Sequence, residues 1–312
     1  MDATLMVNPV VRLKAASLGA VGQAWLDALP GVVAELESRW SVLVQESLGG
    51  GTAAYVARAR TADGSAVVLK LCVPDPEFGD EIGTLDRADG HGYVRLLACD
   101  VGQHAMLLEH LGPSMNRTGM SADEQIATLC NLLTQAWEVP RADSGEFAVA
   151  KDKATDLANF VSRAWSELDA PCSESVRDRA LLFAERRAAA FDPELCVAVH
   201  GDAAAMNALQ VLAPRLGAET GFVFVDPDGF IGDPAYDLGV VLRDWCSQLL
   251  ASKDARAFAR RYCRLLADGS GIDEQAIWEW GYLERVSTGL YARSMGADEL
   301  GQPFLDTAEM LN

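Results

Sequence analysis

The chain has 312 residues, of which 50% are hydrophobic and 23% are charged, and its formal net charge is −19. This composition is typical of a soluble globular protein with substantial cores. The acidity argues against nucleic acid or an anionic membrane as a partner and tolerates or favours a cationic one. A need for solubility alone explains the same charge. No apolar run approaches the length that spans a bilayer, and the start of the chain lacks the long apolar region of a secretory signal.

Cysteine and histidine usage argues against two kinds of stabilised scaffold. The seven cysteines are scattered without a CxxC pair, and none of the four histidines stands at metal-ligand spacing from a cysteine. A disulfide framework and a zinc site are therefore disfavoured, and reduced thiols in a cytoplasmic protein are expected. A monomer or a homodimer is expected.

The N-terminal third predicts helices followed by strands. Residues 19–40 predict one or two leading helices, interrupted near Pro30. Five β-branched or alternating runs then indicate strands: SVLVQESL, AAYVARAR, AVVLKLCV, YVRLLACDV and HAMLLEHL. GGGT and TADGS separate the first three runs and are typical of hairpin connections. One helix, beginning after Pro76 and ending near Gly90, completes a small antiparallel lobe.

Helices dominate from about residue 113 onward. Ser121 and Glu124 have the spacing of a capping box at the start of one of them. Further amphipathic stretches cover 150–168, 173–190, 233–251, 254–267 and 273–295, and LCVAV, NALQVL and GFVFVD are short strand candidates among them. GPSMNRTG is a plausible linker, so the sequence predicts a β-rich lobe with leading helices over residues 1–112 and a helical lobe over 113–312.

A glycine-rich connection lies between the first two predicted strands and consists of Gly49, Gly50, Gly51 and Thr52. Without a Cβ, such a segment lets backbone amides approach a phosphate closely. A bulged hairpin explains the same glycines. Lys70, at the end of VVLK, is either a solvent-facing strand residue or a cation directed into a cleft. Glu77 and Glu81 are its candidate partners, and Glu81 is preferred because an apolar helical face follows it.

The segment VHGDAAAMNALQV breaks an apolar stretch with a carboxylate, although burying a carboxylate without a partner is costly. Asp202 and Asn207 together offer a carboxylate that orients a hydroxyl and accepts its proton, and an amide oxygen that binds Mg²⁺. Asp226 ends a very apolar strand, where metal-binding carboxylates are commonly presented. Asp228 is either a second metal ligand or a solvent-facing residue.

Two further aspartates are interpreted as structural. Asp233 precedes Pro234, which is the pattern of a helix N-cap followed by proline at the first helical position. Asp237 lies one turn later and is expected to brace the helix start or the loop that carries Asp202. Neither is expected to take part in chemistry.

The order of these features is more specific than any one of them. A glycine hairpin, a strand lysine, a helical glutamate, a linker, HGDxxxxN and a strand-terminal aspartate follow the order of a protein-kinase-like fold. The HGD and DPDG forms resemble those of aminoglycoside phosphotransferases. EIGTLDRADGHGYVRLL, VHGDAAAMNAL and VDPDGFIGDPAYDLG resemble more closely the aminoglycoside/hydroxyurea antibiotic-resistance kinases, the group that contains the streptomycin 6-kinases.

This resemblance implies an α+β, two-lobed fold with a small antiparallel sheet, one inserted helix and a larger helical lobe. It also implies transfer of phosphate from ATP, with Mg²⁺, to a hydroxyl of a cationic small molecule, with a streptomycin-type aminoglycoside as first choice. By resemblance, Asp202 is the catalytic base, Asn207 and Asp226 are magnesium ligands, and Lys70 anchors the α- and β-phosphates with Glu81 as its partner. Glu109, His110 and Leu111 resemble the hinge whose backbone meets adenine.

The acceptor remains open at this point. Helical acids are candidates for binding its amine or guanidino groups: Asp152, Asp156, Glu167, Glu279 and Glu284. Hydroxyurea, a peptide antibiotic, an amino alcohol or a sugar are alternative acceptors. AAAM stands in the loop after Asp202, where relatives commonly carry a second histidine or a larger polar residue, and it motivates a nucleotide-binding pseudokinase as a third interpretation. The presence of the base, the lysine and both metal ligands argues against that third interpretation.

Overall fold

The computed structural model describes residues 5–49, 51, 53–74, 80–142 and 152–312. The chain begins with α1 (Pro9–Ser17) and α2 (Ala20–Trp40). The predicted interruption at Pro30 is wrong, because α2 continues through it. Proline costs an interior helix one hydrogen bond, but Pro30 is exposed, and Leu29, Val33 and Leu36 bury another face of α2 against the sheet. Tertiary packing therefore outweighs the local preference.

The five predicted strands form one antiparallel sheet, which confirms the expected architecture of this part. Their bounds are β1 (Val42–Ser47), β2 (Ala54–Thr61), β3 (Ala66–Cys72), β4 (Leu96–Asp100) and β5 (Ala105–Glu109). Their spatial order is β1-β2-β3-β5-β4. Helix α3 (Glu81–Ala88) is inserted between β3 and β4, as predicted. The expected start of that helix after Pro76 lies outside the described residues.

The two faces of the sheet have different neighbours. Alternation along β2 and β3 directs Tyr55, Ala57, Leu69 and Leu71 to one face, where they join the core formed with α2. Lys70 has the opposite orientation, since successive strand side chains alternate between faces. Its register partners are Val56 on β2 and Met106 on β5. The face opposite α2 is therefore the one that carries the lysine.

The C-terminal part is mainly helical. Its helices are α4 (Ala122–Ala136), α5 (Lys153–Glu167), α6 (Glu174–Ala189), α7 (Pro234–Arg243), α8 (Cys246–Ala251), α9 (Ala255–Ser270), α10 (Glu274–Ser294) and α11 (Asp298–Leu311). The single stretch predicted over 233–251 is two helices, because the chain turns at Asp244 and Trp245, and Trp245 has φ +73°. Helix α11 was not predicted. The capping box of Ser121 and Glu124 is present at the start of α4.

Four short strands support the segments between these helices. Strand β6 (Val197–Ala198) pairs with β9 (Ile231–Gly232), and β7 (Ala208–Gln210) pairs with β8 (Phe222–Phe224), both antiparallel. β9 is short and was not predicted. These two small ladders bring the segment after β6, the start of β7 and the end of β8 close together.

The core of the helical part is built around α10, which packs against α5, α6, α7, α9 and α11. Trp278, Trp280 and Tyr282 on α10 are buried in this core. The same hydrophobic cluster includes Tyr93 and Met106 from the β-rich part. The two parts therefore share a core, and a lobe division at residue 112 stays a prediction.

Two further findings bear on the composition-based expectations. All seven cysteines are free thiols, as expected from their spacing. Among the helices of the described segments, none is both long and apolar enough to cross a membrane.

Candidate active site

Lys70 joins three distant parts of the structure. Its Nζ lies 2.5 Å from Glu81 Oε1 on α3 and 2.7 Å from Asp226 Oδ1, which follows β8. Lys70 is 6% exposed. Burial acts to lower the pKa of Lys70, but the charges of Asp226 and Glu81 outweigh it and raise that pKa well above its usual value. The ion pair suggested between Lys70 and Glu81 is thus present, whereas Glu77 lies outside the described residues.

The glycine-rich connection joins β1 to β2, as expected, and is only partly described. Gly49 accepts a hydrogen bond from Asn8 Nδ2 through its carbonyl (3.1 Å), and Gly51 has φ +89°. A positive φ of this kind favours glycine. Gly50 and Thr52 lie outside the described residues. The expected approach of this segment to a phosphate stays a prediction.

Asp202, Asn207 and Asp226 meet at the ends of the two small ladders. Asn207 donates from Nδ2 to the carbonyl (2.9 Å) and to Oδ2 (3.0 Å) of Asp202. Its carbonyl accepts from the N–H of Val225 (2.9 Å), the residue before Asp226. Because both atoms facing Nδ2 are acceptors, the amide oxygen of Asn207 is the one left for a ligand. The predicted acid–amide–acid set is therefore close in space.

The loop that carries Asp202 is fixed by a neutral histidine. His200 Nε2 faces the carbonyl of Val225 (2.9 Å), and its Nδ1 accepts from the backbone N–H of Asp202 (3.1 Å). A carbonyl only accepts and an N–H only donates, so the proton of His200 is on Nε2. His200 is fully buried. It therefore links the loop to the strand that ends at Asp226.

Asp237 on α7 holds the same loop from the other side. Its Oδ2 accepts from the N–H of His200 (2.8 Å) and from Trp137 Nε1 (3.0 Å), and its Oδ1 accepts from the N–H of Gly201 (2.9 Å). Burial raises the pKa of Asp237, while these N–H donors oppose the shift. Asp233 caps α7 by accepting from Ala235 N (2.9 Å). The interpretation of both aspartates as structural is confirmed.

Backbone geometry also marks this region. Gly201 has φ +91°, and a Cβ there would lie 2.5 Å from Asp228 Oδ2, so only glycine fits beside Asp228. Asp226 has φ +59°, a left-handed conformation that is uncommon outside glycine. Strained residues of this kind concentrate at functional sites. Asp228 is partly buried, and burial raises its pKa.

The AAAM segment, residues 203–206, has a structural role in the turn after Asp202. Ala203, Ala204 and Ala205 are buried, whereas Met206 is 60% exposed. The N–H of Ala204 donates to the carbonyl of Asp202 (2.8 Å), and the N–H of Asn207 donates to the carbonyl of Ala204 (2.9 Å). The alanines therefore occupy packed positions in a tight turn that returns the chain to Asn207.

Arg243 is a site residue that the sequence did not reveal. Its Nη2 bonds Asp202 Oδ1, and its Nη1 donates to Glu284 Oε2 at 2.9 Å. Burial acts to raise the pKa of Asp202, but the charge and hydrogen bond of Arg243, together with the hydrogen bond from Asn207, lower that pKa overall. An arginine in the last turn of a helix is an ordinary complement to the helix dipole. Nothing local distinguished this arginine from any other helix-terminal cation.

The hinge candidates lie at the end of β5. The carboxylate of Glu109 accepts from the N–H of Arg95 (2.9 Å) and from Arg215 Nε (3.2 Å). Arg215 Nη1 also donates to the carbonyl of Gly90 (2.6 Å). Burial lowers the pKa of His110. The Glu109 side chain thus ties β5 to the C-terminal part and is occupied by these bonds. The role of residues 109–111 as the adenine-binding hinge stays a prediction.

A family model described as aminoglycoside/hydroxyurea antibiotic resistance kinase matches residues 39–296. The chain belongs to this family. It is 30% identical over 306 residues to a streptomycin 6-kinase of Streptomyces glaucescens, covering 97% of this chain and 96% of that one. It is 33% identical over 223 residues to a hydroxyurea phosphotransferase of Kitasatospora aureofaciens, covering 70% of this chain and 62% of the relative.

The fold has counterparts among solved structures. An aminoglycoside phosphotransferase of Streptomyces rimosus, solved with ADP and streptomycin, aligns with a TM-score of 0.51 and 17% identity over 83% of this chain and 98% of that one. The expected kinase-like α+β fold is confirmed. The chain is an aminoglycoside phosphotransferase-like kinase, an enzyme with an alcohol group as phosphate acceptor.

Two of the helical acids suggested for substrate binding serve this kinase internally. Glu279 is buried and pairs with Arg187 Nε at 2.7 Å, and Glu284 is buried and pairs with Arg243. Asp152 caps α5 by accepting from Thr155 N (3.3 Å). Asp156 and Glu167 are exposed. Glu279 and Glu284 are therefore unavailable to a substrate without breaking buried ion pairs, which is costly.

The charge of the kinase site requires a cation partner for any phosphate. Lys70 and Arg243 are the two cations of the ion-paired networks, and they face the carboxylates of Glu81, Asp226, Asp202, Glu284 and Asp244. No group of three or more His, Cys, Asp or Glu residues is arranged to hold a metal within the described segments. Magnesium commonly uses one or two protein carboxylates together with substrate phosphates. The Asp226 carboxylate and the Asn207 amide oxygen fit that donor set.

Proposed function

We propose that the protein transfers the γ-phosphate of ATP, with Mg²⁺, to a hydroxyl of a streptomycin-type aminoglycoside. The observation that carries the proposal is the joining of Lys70, Asp226, Asn207 and Asp202 through direct hydrogen bonds and one backbone link. Residues more than 150 positions apart meet there, since Lys70 and Asp226 are separated by 156 residues. A single cluster thus offers a cation, two metal-binding oxygens and a base.

The proposed mechanism assigns one role to each residue. Lys70 binds the α- and β-phosphates, and Asn207 and Asp226 hold Mg²⁺, which supplies positive charge to the phosphates when bound. Asp202 orients the acceptor hydroxyl and accepts its proton. The hydroxyl oxygen bonds to the γ-phosphorus while the bond from that phosphorus to the β,γ-bridging oxygen breaks, and ADP leaves. Most of the rate enhancement comes from alignment and electrostatic stabilisation.

Magnesium and a cationic acceptor suit the acidity of this site. Two unit charges about 4 Å apart interact by roughly 4 kcal/mol at an effective dielectric near 20. The carboxylates around Lys70 and Arg243 would therefore repel a free triphosphate strongly. The same carboxylates, and the net charge of −19, favour an acceptor with amine or guanidino groups.

The choice of streptomycin is supported by the relatives. The streptomycin 6-kinases of S. glaucescens and Streptomyces griseus align over 97% and 94% of this chain, at 30% and 27% identity. The hydroxyurea phosphotransferase aligns over a smaller share, 70%. Hydroxyurea is therefore the second candidate acceptor.

The test is phosphorylation of a substrate panel by the purified protein. Streptomycin, other aminoglycosides, hydroxyurea, a peptide antibiotic and an amino alcohol are each incubated with ATP, with and without Mg²⁺. The expected result is magnesium-dependent phosphorylation of streptomycin, detected as a mass increase of one phosphate, that disappears in Asp202→Asn. Turnover of hydroxyurea alone would transfer the proposal to that acceptor. Absence of turnover with every compound would overturn it.

A pseudokinase is the alternative from another functional class. The AAAM segment motivated it, but the buried alanines form the turn that delivers Asn207 to Asp202. A bound nucleotide without any phosphoryl transfer in the panel, together with unchanged cellular function of Asp202→Asn, would favour this alternative.

A further inference from the structure

Arg243 lies between the proposed catalytic base and a buried glutamate. Its side chain is 14% exposed, and its two terminal nitrogens bind different carboxylates: Nη2 binds Asp202 Oδ1, and Nη1 binds Glu284 Oε2 at 2.9 Å. Its Nε lies 3.5 Å from Asp244 Oδ1. The charges of Asp202, Asp244 and Glu284 outweigh the effect of burial and raise the pKa of Arg243 further. The guanidinium is therefore held in place at both ends of its planar fork.

Helix α7 controls both the backbone and the side chain of the loop at Asp202. Asp237, in the first turn of the helix, accepts hydrogen bonds from the N–H groups of His200 and Gly201. Arg243, in its last turn, binds the Asp202 carboxylate. Because a helix is rigid over this length, the two anchors fix the carboxylate relative to its own loop.

Helix α10 fixes the far end of α7. Glu284 binds the Arg243 side chain, and the neighbouring Arg285 donates from Nη2 to the carbonyls of Leu242 (2.8 Å) and Asp244 (3.2 Å). The last carbonyls of a helix lack partners within the helix, and Arg285 supplies one. Arg285 is 1% exposed. Two consecutive residues of α10 therefore hold the side chain and the backbone on which Asp202 depends.

We propose that Arg243, held by Glu284, is the positioning residue of the catalytic base. By occupying Oδ1 of Asp202 it leaves Oδ2, where Asn207 donates, to receive the proton of the acceptor hydroxyl. A carboxylate oxygen has lone pairs for more than one donor, so Asn207 does not block this role. The inference rests on the proposed function, since it assigns the base to Asp202.

A lysine cannot replace this arginine. The two carboxylates are bound by different nitrogens of one planar group, and an ammonium is a point charge without that fork. Displacement of a catalytic group by about 1 Å costs on the order of 10²-fold in rate. Loss of the fork should therefore reduce kcat rather than the affinity for ATP, because Lys70 and the metal ligands are untouched.

The first test compares Arg243→Met and Arg243→Lys with a matched control. Arg187→Met removes another mostly buried arginine that pairs with a buried glutamate, Glu279, away from Asp202. We expect kcat to fall on the order of 10²-fold in Arg243→Met, with KM for ATP changed less than about threefold. Arg187→Met should lower the melting temperature but retain kcat. Equal kcat in Arg243→Met and the wild type would overturn the proposal.

The second test asks whether Arg243 acts through Asp202. In the Asp202→Asn background, adding Arg243→Met should reduce kcat little further, because the group that it positions is already absent. If the double variant instead loses the product of the two single-variant reductions in kcat, the proposal is contradicted. Millimolar guanidinium should restore part of the activity of Arg243→Ala and none of the stability lost in Arg187→Met. A lack of restoration would count against a positioning role.

These outcomes are separable from failure of the proposed function. Wild-type turnover of the substrate panel decides that function, whereas the ratios between variants, measured with whichever acceptor is used, decide the role of Arg243. The same double-mutant cycle in thermal unfolding needs no turnover. A coupling between Asp202 and Arg243 is expected there, and additivity would overturn the ion pair on which the inference depends.

Discussion

The two halves of the active site are held together in different ways. On the sheet side, Lys70 and its partner Glu81 are 11 residues apart and belong to consecutive elements. On the helical side, Asp202 is held by Arg243, 41 residues away, and its loop is held by Asp237, 36 residues from Gly201. The Lys70–Glu81 pair is therefore assembled locally, whereas the contacts of Asp202 and its loop depend on how distant helices pack.

This difference has a functional consequence. The sheet half carries one ammonium whose direction follows from strand alternation, and only its contact with Asp226 depends on the C-terminal part. The distant half positions a carboxylate through a chain of contacts from α10 to α7 to the loop. We expect damage to the sheet half to affect nucleotide binding, and damage to the helical half to affect the chemical step.

The largest effect is expected for Asp202→Asn. General-base catalysis contributes about 10²–10⁴-fold, so kcat should fall by that range. The melting temperature should fall as well, because Arg243 loses the charge of one of its carboxylate partners. Steady-state kinetics and thermal unfolding measure the two quantities. A large loss of stability with kcat retained would show that Asp202 has a structural role and does not act in the chemical step.

Lys70→Met should follow, with a loss of about 10²–10³-fold in kcat/KM for ATP, because a preorganised cation facing the phosphates is removed. Its loss also leaves Glu81 without the only cation with which the described residues pair it, so the melting temperature should fall. Glu81→Gln is the matched variant and should show a smaller loss. Calorimetry measures nucleotide binding directly. Equal affinities in Lys70→Met and the wild type would refute the role of Lys70 in binding the phosphates.

Asp237→Asn tests whether Asp237 on α7 holds the loop that carries Asp202. The carboxylate accepts from three N–H groups, and an amide would direct its NH₂ at one or more of them. An unsatisfied buried donor costs about 1–3 kcal/mol, so the protein should be less stable and kcat lower. Asp254→Asn, at the N-cap of α9, is the control, since its carboxylate accepts from Ala257 N and asparagine is also a good N-cap. Similar losses in both variants would show that Asp237 has no special link to the loop.

The smallest effect is expected for Gly201→Ala. The residue has φ +91°, and the added Cβ would meet Asp228. The control Gly221→Ala has φ +78° and nothing within 4 Å of its Cβ, so it isolates the backbone cost of about 1–2 kcal/mol. Gly201→Ala should lose more stability than the control and also lose activity. Equal effects on both quantities would mean that the contact with Asp228 does not position the loop.

Much of the architecture was predictable because it has a local cause. The five strands were found from alternation, α3 from its place after β3, and α4 from the capping box of Ser121 and Glu124. The errors also have identifiable causes. Pro30 signals a break that buried packing of α2 overrides, and the turn at Trp245 has no glycine or proline to mark it.

The candidate site was predictable where the residue type is itself the signal. A carboxylate in an apolar stretch and an aspartate at a strand end are unusual locally, and both proved to lie in one cluster. Glu279 and Glu284, in contrast, were suggested for a substrate and are buried in ion pairs. A helical glutamate looks the same in sequence whether it faces solvent, a ligand or a buried arginine.

The sequence by itself indicated the five strands of the sheet, the capping box of α4 and the candidate acid, amide and lysine, since each depends on neighbours within a few residues. Only the tertiary structure decided that Arg243 and Glu284 support Asp202 and that Asp237 holds its loop. Those contacts depend on the packing of α7 against α10. No local pattern encodes that packing, because it is set by the shape of a core assembled from distant parts of the chain.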